Sequence, residues 1–380
     1  MNFDLTTDQK MLQDQVRKFA ETELAPVAPE IDKSGEFPMK SIKKMAQLGL
    51  LGIVVPEKYG GSGFDFVSLA IAIEEISRVC ASTGVIVAVN NSLVTYPILQ
   101  FGNEEQKNKY LPVLCSGEKL GAFGLTEPNA GSDVAAMEAT AKLDGNHYIL
   151  NGTKRFITNA GAAGIFVVFA CTNKELKHKG ISAFIVERDT PGFSFGKHED
   201  LMGIRATANC ELIFEDCKIP KENLLGIEGE GFKICMNTID VSRIDIGAQA
   251  VGISQGALDE AVKYSKQRKA FGQPLCDFEM VQSMLAEMAT EIQAARLLVY
   301  YAGSCKDKGM PRFSKESAMS KLFAANIAVD VTRKAVQIHG GYGYSKDYPV
   351  ERMYRDAKIL ELYEGTSEIQ KLVIARELTK

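Results

Sequence analysis

Three observations predict a mainly α-helical protein with a central β domain. Residues up to about 125 carry apolar side chains at helical spacing, such as Leu12, Val16 and Phe19 at i, i+4 and i+7. From about residue 126 to 238, short β-branched and aromatic runs alternate with turn residues. Long stretches of helical character follow from about residue 239. We therefore predict a helical domain at 1–125, an antiparallel β-barrel or sandwich at 126–238, and a helical bundle at 239–380.

The N-terminal helices have recognisable ends. The pattern Thr6-x-x-Gln has the spacing of a capping box at a helix start. Pro38 and Pro56 interrupt the helical pattern, and the glycine-rich residues 59–63 predict a loop. Asn103, followed by two acidic residues, predicts a further helix start.

The central region has the pattern of an antiparallel sheet. Between the runs, the dipeptide Asn151-Gly152 predicts a tight hairpin turn. No helical stretch of ten or more residues separates the runs, which argues against a Rossmann-type parallel sheet. The predicted strands include residues 147–150, 165–169, 182–186 and 212–214.

The C-terminal region predicts a bundle, because long helices with short connections usually pack side by side. The first predicted helix, from Ile239 to Arg268, contains no proline and would be about 45 Å long. A short last helix is predicted from Ser367, with Ser367-x-x-Gln370 as its capping box. The other long helices are predicted at about 277–306 and 315–339.

Composition excludes several classes of protein. The 380 residues include 48 acidic and 44 basic side chains, and this mildly acidic balance argues against a nucleic-acid-binding protein. No apolar run approaches the ~18 residues needed to cross a bilayer, so we predict no membrane span. The first five residues include an acid and no basic segment, so we expect no secretory signal peptide. We expect a cytoplasmic protein in a bacterium, or a mitochondrial matrix protein once a transit peptide is removed.

Cysteine and histidine usage gives no sign of a metal site. The eight cysteines have irregular spacing and no CxxC pair, which is typical of free thiols in a reducing compartment. The histidines lie far apart, without HExxH or zinc-finger spacing. They are His147, His178, His198 and His339.

Two polar turns are candidates for a cofactor site. Residues 125–133 (LTEPNAGSD) lie where helices give way to strands, and the Thr126 and Ser132 hydroxyls with nearby amides could hold a phosphate or a heteroaromatic edge. The alternative is a turn that only links two domains. Phe156, beside the hydroxyl and amide of residues 158 and 159, could flank a planar cofactor, although such a phenylalanine is more often part of the core.

Glu364 is a candidate general base. It lies one turn before the last predicted helix, where a carboxylate commonly acts as a favourable helix-terminus charge. It would act as a base if it faced an apolar cleft that raises its pKa. From the residues alone both interpretations remain open.

Together these segments resemble the acyl-CoA dehydrogenase family, in particular its short-chain (butyryl-CoA) branch. The resemblance covers nearly the whole chain in order, and each motif is weak alone. The motifs are LTEPNAGSD at 125–133, FIT at 156–158, MGIRA at 202–206, RKAFG at 268–272, QIHGG at 337–341 and YEGTSEIQ at 363–370.

This resemblance implies an N-terminal helical domain, a central antiparallel β-barrel and a C-terminal four-helix bundle. It also implies FAD bound at a subunit interface of a homotetramer, arranged as a dimer of dimers. The implied substrate-binding residues are Ser132, Asp240, Arg243 and Gly365. The implied FAD-binding residues are Phe123, Leu125, Thr126, Ser132, Phe156, Thr158, Arg268, Phe271, Gln337, Gly340, Gly341, Thr366, Ser367 and Glu368.

The resemblance also implies a mechanism. Glu364 removes the α-proton of an acyl-CoA thioester while a hydride leaves the β-carbon for flavin N5. The thioester oxygen accepts hydrogen bonds from the Glu364 backbone N–H and a flavin ribityl hydroxyl, and each such donor typically stabilises the transition state by ~3–4 kcal/mol. The electrons then pass to an electron-transfer flavoprotein.

The chain departs from the family pattern at informative positions. Phe156 stands where a tryptophan is usual, and Glu279 stands where relatives commonly have glutamine. Ser242 occupies the position from which isovaleryl-type and long-chain relatives supply the base, which leaves Glu364 for that role. No arginine lies between Arg78 and Lys107, which disfavours a dicarboxyl substrate.

The expected function is FAD-dependent α,β-dehydrogenation of short, uncharged acyl-CoA thioesters. Within the same class, the alternative is a relative that acts on branched, cyclic or aryl-propenoyl thioesters, including one that works as an enoyl-CoA reductase. From another class, the alternative is a non-catalytic acyl-CoA-binding scaffold. A yellow purified protein would separate the enzymes from the scaffold.

Overall fold

The computed structural model describes residues 4–380 and confirms a mainly helical protein with a central sheet domain. The sheet begins at Gly121 and the first long C-terminal helix at Gly231, five and eight residues before the predicted boundaries at 126 and 239. The three-domain division itself stays a prediction. Residues 1–3, part of the segment for which we expect no signal peptide, lie outside the described residues.

The N-terminal block is built from seven α-helices among the described residues. The predicted capping box is confirmed, because the Thr6 hydroxyl accepts from the Gln9 backbone N–H at 3.2 Å and Gln9 Oε1 accepts from the Thr6 N–H at 3.1 Å. Two π-helical segments, Ala20–Leu24 and Val89–Thr95, continue neighbouring helices. The helices are α1 (Thr7–Phe19), α2 (Ala28–Ser34), α3 (Met39–Gln47), α4 (Phe66–Ser77), α5 (Ala81–Ala88), α6 (Tyr96–Phe101) and α7 (Glu104–Cys115).

One helical segment of this block corrects the hydropathy analysis. By length and composition, Ala81–Phe101 is apolar enough to cross a membrane, with 21 residues and a mean hydropathy of 1.3. Within the described fold, 83% of its most apolar 18-residue window is buried, as in a core helix. The search for apolar runs in the sequence did not detect this segment, because polar residues interrupt it. One of them, Asn91, is satisfied internally and donates to the Leu50 carbonyl oxygen at 2.9 Å.

The central sheet contains β1 (Gly121–Gly124), β2 (Thr140–Asp144), β3 (His147–Ile157), β4 (Ile165–Cys171), β5 (Ile181–Glu187), β6 (Phe193–His198), β7 (Cys210–Pro220) and β8 (Leu224–Leu225). Its strand order is β6-β7-β3-β2-β4-β5-β8, and β1 also pairs with β4. The pairings are antiparallel, as predicted, except that β1 and β2 run parallel to β4.

The predicted hairpin turn at Asn151-Gly152 is wrong. Strand β3 continues through both residues, and the hairpin closes where Asp144 faces His147. Gly152, at φ +141°, lies at a register shift against β7, and a Cβ there would come within 2.7 Å of the Ala139 Cβ. The Asn-Gly pair therefore forms a β-bulge, for which glycine is also well suited.

The C-terminal block contains α8 (Gly231–Gln267), β9 (Lys269–Ala270), β10 (Gln273–Pro274), α9 (Glu279–Asp307), α10 (Ser314–His339), α11 (Val350–Lys358) and α12 (Ser367–Leu378). The 37-residue helix α8 is about 55 Å long and packs against both α9 and α10. Helix α12 packs on α10, which brings the segment before α12 next to α8 and α10.

The cap of the last helix also differs from the prediction. Helix α12 begins at Ser367 as expected, but its N-cap is Thr366, whose hydroxyl accepts from the Ile369 N–H at 3.3 Å. Thr366 has the extended backbone of a cap, whereas Ser367 is already helical. The Ser367 hydroxyl instead donates to Asn326 Oδ1 at 3.2 Å.

Candidate active site

Glu364 lies in a tight turn between α11 and α12. Its backbone is left-handed, with φ +54°, and Gly365 follows with φ +88°. The Glu364 carbonyl oxygen accepts from Gln370 Nε2 at 3.1 Å and lies 3.5 Å from Arg243 Nε. The turn is therefore held from α12 and from α8, and it is held in a conformation that non-glycine residues rarely adopt.

A second set of contacts fixes the same turn from α10. The Gly365 carbonyl oxygen accepts from Lys321 Nζ and from Gln370 Nε2, both at 2.8 Å. Lys321 is buried, and this burial lowers the pKa of its ammonium to about 8, while the nearby Glu364 carboxylate acts in the opposite direction. This lysine therefore places a titratable positive charge beside the turn.

Two opposing effects set the protonation of Glu364. Removal from bulk water raises the pKa of its carboxyl group above the ordinary value. A hydrogen bond from the Ser242 hydroxyl and the positive charges of Lys321 and Arg243 oppose this rise and favour the carboxylate. Glu364 thus has the raised pKa of a general base and the neighbours that keep it ionised.

Asp240 and the buried Arg243 form an ion pair on α8. The Arg243 guanidinium donates to Asp240 Oδ1 at 2.8 Å, and the Ser314 hydroxyl donates to the other carboxylate oxygen. Burial raises the pKa of Asp240, although Arg243 opposes that rise. The predicted substrate residues Asp240, Arg243 and Gly365 are thereby brought together with Glu364.

The loop after β1 is fastened to β3 by a fully buried ion pair. Lys154 Nζ donates to Glu127 Oε1 at 2.7 Å and to the Leu125 carbonyl oxygen at 3.2 Å. Glu127 also accepts from the backbone N–H groups of Glu138 and Ala139, at 2.6 and 3.0 Å. Both ends of the 125–139 loop are therefore fixed to one carboxylate.

This fastening brings one group of the predicted FAD residues together. The Arg155 backbone N–H donates to the Thr126 carbonyl oxygen at 2.8 Å, so the Leu125–Thr126 pair lies beside the end of β3, which contains Phe156 and is followed by Thr158. Phe156 is 54% exposed, with φ +59°, which contradicts the alternative that it belongs to the core.

Two other predicted residues of this region differ in their burial. Phe123 is buried in β1, against Phe169 at a ring-centroid distance of 5.0 Å. Ser132 lies on an exposed part of the loop.

A second group of predicted FAD residues surrounds a cavity of about 530 Å³ at the ends of α8 and α10. Arg268, Gly340 and Gly341 line it together with Tyr264, His339 and Tyr342. The His339 ring stacks on Tyr264 at 4.2 Å, and its Nδ1 lies 2.8 Å from the Ala335 carbonyl oxygen. Burial lowers the pKa of His339, which favours a neutral ring in the cavity wall.

The remaining predicted residues are more dispersed. Phe271 and Gln337 are not among the residues that line the cavity, and Phe271 projects from the β9–β10 hairpin with 97% of its surface exposed. Thr366 is the N-cap of α12 and Ser367 is its first residue. Glu368 is exposed on the first turn of this helix. Within one chain, the predicted FAD residues therefore fall into separate groups.

The sequence alone did not reveal the roles of Lys321, Gln370 and the Lys154–Glu127 pair. A signal existed for Lys321, which shares the small-residue face of α10 with Ala318 and Ala325 at i+3 and i+7 spacing. A lysine on such a face is rarely buried without a partner. Gln370 was predicted only as a capping-box residue, because no local pattern showed that its amide reaches back to the Glu364 and Gly365 carbonyl oxygens.

Comparison with known proteins decides the family. Models of the acyl-CoA dehydrogenase N-terminal, middle and C-terminal domains match residues 6–118, 122–217 and 229–379. The chain belongs to the acyl-CoA dehydrogenase family. It is an oxidoreductase of a family that uses FAD.

Three similar proteins illustrate the relationship. The short-chain specific acyl-CoA dehydrogenase of Clostridium acetobutylicum is 53% identical over the full length of both chains. The acryloyl-CoA reductase (NADH) of Anaerotignum propionicum is also 53% identical, over all of this chain and 96% of its own. A solved structure described as the electron transferring flavoprotein of Acidaminococcus fermentans, studied for flavin-based electron bifurcation, contains a chain that is 52% identical, with TM-score 0.99 and full coverage of both chains.

The residues of this chain fit FAD at both groups. A Cβ added to Gly340 or Gly341 would meet no atom within 4 Å, so the backbone beside Arg268 is open to a ligand. Among residues 4–380, no carboxylate forms an ion pair with Arg268, which leaves its guanidinium available to a pyrophosphate. The exposed Phe156 ring suits the face of a planar ring system.

Proposed function

We propose that the protein dehydrogenates short, uncharged acyl-CoA thioesters between the α- and β-carbons, with Glu364 as the base. The observation that carries this proposal is the placement of Glu364, a carboxyl with raised pKa held in a strained turn by buried groups from three helices. Similarity to a short-chain specific relative supports the choice of chain length.

In the proposed reaction the Glu364 carboxylate takes the α-proton of the thioester. FAD, when bound, accepts the hydride that leaves the β-carbon, and a carbon–carbon double bond forms. The proton is held on Glu364, where Ser242, Lys321 and Arg243 otherwise stabilise the charge.

The backbone of the same residue supplies an oxyanion donor. Among the hydrogen bonds of residues 4–380, none uses the Glu364 N–H as donor, so it is free to bind the thioester oxygen. Such a donor stabilises the charge that develops on this oxygen as the α-proton leaves. The Lys321 and Gln370 contacts to the Gly365 carbonyl hold this N–H in place.

Substitution Glu364→Gln tests the proposal. The wild-type protein should be yellow, and its flavin should bleach anaerobically with butyryl-CoA. The variant should keep FAD and bind butyryl-CoA, yet its flavin should be reduced at least ~10³-fold more slowly, because glutamine cannot accept the proton. Glu361→Gln is the matched control, since Glu361 pairs with Lys358 on the surface. Normal bleaching of Glu364→Gln would refute the base, and a colourless wild-type protein would favour the non-catalytic scaffold.

The assembly we propose is a homotetramer in which two copies share each FAD. The two groups of FAD residues lie on different parts of one chain, as expected if each contacts FAD with a different copy. Large apolar side chains are exposed in the segments that flank the residues of the cavity. The exposed fraction is 97% for Phe271, 89% for Tyr344 and 82% for Met280. Size-exclusion chromatography with light scattering should give about four chain masses, and a stable flavin-bound monomer would contradict the shared site.

The proposed electron acceptor is an electron-transfer flavoprotein, which the similarity to a chain of the Acidaminococcus structure supports. The proposed location is a reducing compartment, the bacterial cytoplasm or the mitochondrial matrix. All eight cysteines are free, and seven of them are buried, which suits such a compartment.

Reduction of an enoyl-CoA is a second candidate function, favoured by the equally similar acryloyl-CoA reductase. In that direction, protonated Glu364 would return its proton to the α-carbon, and reduced FAD, when bound, would supply the hydride to the β-carbon. Steady-state rates with butyryl-CoA and with crotonyl- or acryloyl-CoA, measured on one preparation, distinguish the two directions. Faster turnover of the enoyl thioesters would favour the reductase.

A further inference from the structure

Two buried side-chain amides hold helix α5 near its two ends. In the first turn of α5, the Ala81 carbonyl oxygen accepts from Gln249 Nε2 at 3.0 Å. In the last turn, the Ile86 carbonyl oxygen accepts from Asn159 Nδ2 at 3.2 Å. Both amide residues are fully buried, and the proposed mechanism uses neither of them. Because a buried amide that loses its hydrogen bonds is costly, these contacts resist any movement of α5.

The amide of Gln249 connects α5 to the turn that contains the proposed base. Its oxygen accepts from the Tyr363 hydroxyl, and Tyr363 directly precedes Glu364. Since an amide accepts through its oxygen and donates through its nitrogen, Gln249 can bind Tyr363 and the Ala81 carbonyl oxygen at once. One side chain of α8 therefore joins the first turn of α5 to the neighbour of the base.

The amide of Asn159 connects the other end of α5 to the predicted flavin residues. Asn159 directly follows Thr158, and its amide also donates to the Gly121 carbonyl oxygen of β1 at 3.2 Å. Its backbone is left-handed, with φ +68°, a conformation that asparagine adopts more readily than most residues. Its backbone N–H donates to the Thr207 carbonyl oxygen at 2.9 Å. The segment that leaves β3 is therefore fixed to α5, to β1 and to the loop before β7.

Helix α5 is suited to act as a rigid spacer between these two contacts. All eight of its residues are buried, and it packs against α4 and α8. The two carbonyl oxygens that accept from the amides belong to residues 81 and 86, which lie roughly 7.5 Å apart along the helix axis. Because protein interiors are close-packed and hard to compress, a shift at one end of such a helix is transmitted to the other.

The proposed reaction requires a fixed distance between the base and the FAD site. Glu364 must face the α-carbon of the substrate while the β-carbon faces the FAD site, which contains Phe156 and Thr158. A misplacement of about 1 Å can slow a reaction about 10²-fold, even when the substituted residue lies away from the reacting atoms. The elements that carry the two sides therefore need a physical connection.

We propose that Gln249 and Asn159 are positioning residues that use α5 to set the distance between the turn at Glu364 and the FAD-binding segment at 156–158. In this role each acts through a neighbour, Gln249 through Tyr363 and Asn159 through Thr158. This inference rests on the proposed dehydrogenase function and adds the structural connection that fixes its geometry.

Two variants of the FAD-bound enzyme interrupt this connection. Tyr363→Phe removes only the hydroxyl that binds Gln249. Asn159→Gly removes the amide, and glycine keeps the left-handed backbone without steric cost. In each variant, flavin reduction by butyryl-CoA should be about 10- to 100-fold slower, while the Kd of butyryl-CoA should change less than about threefold. Anaerobic stopped-flow absorbance at several substrate concentrations measures the rate and the Kd together.

The double variant tests whether both contacts act through the same helix. Contacts that share one element are not independent, so the loss in Tyr363→Phe/Asn159→Gly should be smaller than the product of the two single losses.

The control is a tyrosine–asparagine pair of the same kind away from the site. The Tyr110 hydroxyl donates to Asn223 Oδ1 at 3.1 Å, and Asn223 Nδ2 donates to the Ile185 carbonyl oxygen at 2.9 Å. Tyr110→Phe and Asn223→Gly should lower the stability of the protein, yet leave the rate of flavin reduction near the wild-type value.

An unchanged reduction rate in either single variant would overturn the inference, and so would weaker substrate binding at a normal reduction rate. Equal losses in the control variants, or a double-variant loss equal to or greater than the product, would also overturn it. If Asn159→Gly fails to retain FAD, the rate and Kd of Tyr363→Phe decide. A wild type that bleaches, with normal rates in the variants, would overturn only the positioning role. Absence of bleaching in the wild type would overturn the proposed function as well.

Discussion

At the scale of single residues, the motif singled out the proposed base, Glu364, but not the groups that surround it. Glu364 was predicted because it belongs to a short motif that can be read locally, whereas Arg243 was predicted only from the family resemblance. Lys321 and Gln370 act on the same turn from α10 and α12, and no local pattern reports which helices meet there. The protonation of such an acid depends on residues that are distant in the sequence. From the sequence alone, we could therefore predict a raised pKa for Glu364 only if its side chain faced an apolar cleft.

Lys321 should control the pH range over which the enzyme works. Glu364 must be ionised, and its pKa is raised, so the rate of flavin reduction should fall as the pH falls through that raised value. Lys321→Met removes a positive charge that lowers this pKa, so the acid limb of the profile should move to higher pH. Rates of anaerobic flavin reduction between pH 5 and 9 would measure the shift. Lys315→Met, on the exposed side of α10, is the control and should leave the profile in place. A slower variant with an unmoved profile would mean that Lys321 only shapes the turn.

At the scale of elements, the long helices were predicted well because a 3.6-residue period persists over many turns. The predicted helices at 277–306 and 315–339 correspond to α9 and α10 within two residues at each end. The hairpin turn predicted at Asn151-Gly152 was wrong, because a turn motif considers only four residues. Strand β3 has eleven residues, and it pairs with β7 along its length. The fastening of the 125–139 loop was also missed, since it joins residues 27 positions apart.

The Lys154–Glu127 pair should be required for the loop that carries Leu125 and Thr126. Lys154→Met leaves the buried Glu127 carboxylate without its cation, and removal of one partner of a buried pair typically costs about 3–5 kcal/mol of unfolding free energy. The same variant should retain less FAD, because the loop is released from β3. Urea unfolding and the ratio of flavin to protein absorbance would check both effects. Lys142→Met, an exposed lysine on β2, should change neither. The double variant Lys154→Met/Glu127→Gln should recover part of the lost stability.

At the scale of the whole molecule, the three blocks are tied together by charged groups at their junctions. Arg355 on α11 contacts Asp32 on α2 at 2.7 Å and the Met202 carbonyl oxygen in the central block at 3.0 Å. Next to it, Asp356 accepts from the Ile204 N–H at 2.6 Å. The MGIRA motif at 202–206 therefore serves a junction, a role that the resemblance alone did not assign to it.

Asp356 should make the stability of the protein depend on pH. Burial raises the pKa of its carboxyl group to about 6, against an ordinary 3.8. The folded protein then binds this proton more tightly than the unfolded chain, so the contribution of Asp356 to stability should be lost as the pH rises from about 4 to about 6. The loss is of order 3 kcal/mol at about 1.4 kcal/mol per pKa unit. Asp356→Asn should lack this loss, and urea midpoints of both proteins at pH 4.5, 5.5 and 7 would measure it. A constant difference between them across this range would contradict the assignment.

The left-handed backbone at Glu364 lowers stability at the position of the proposed base. A glycine there would adopt φ +54° without steric cost, so the substitution that removes the proposed base would also relieve the backbone strain. Selection for heat resistance alone would therefore favour inactive descendants at this position. The strain that a glutamate bears here is the cost expected at the position of the proposed base.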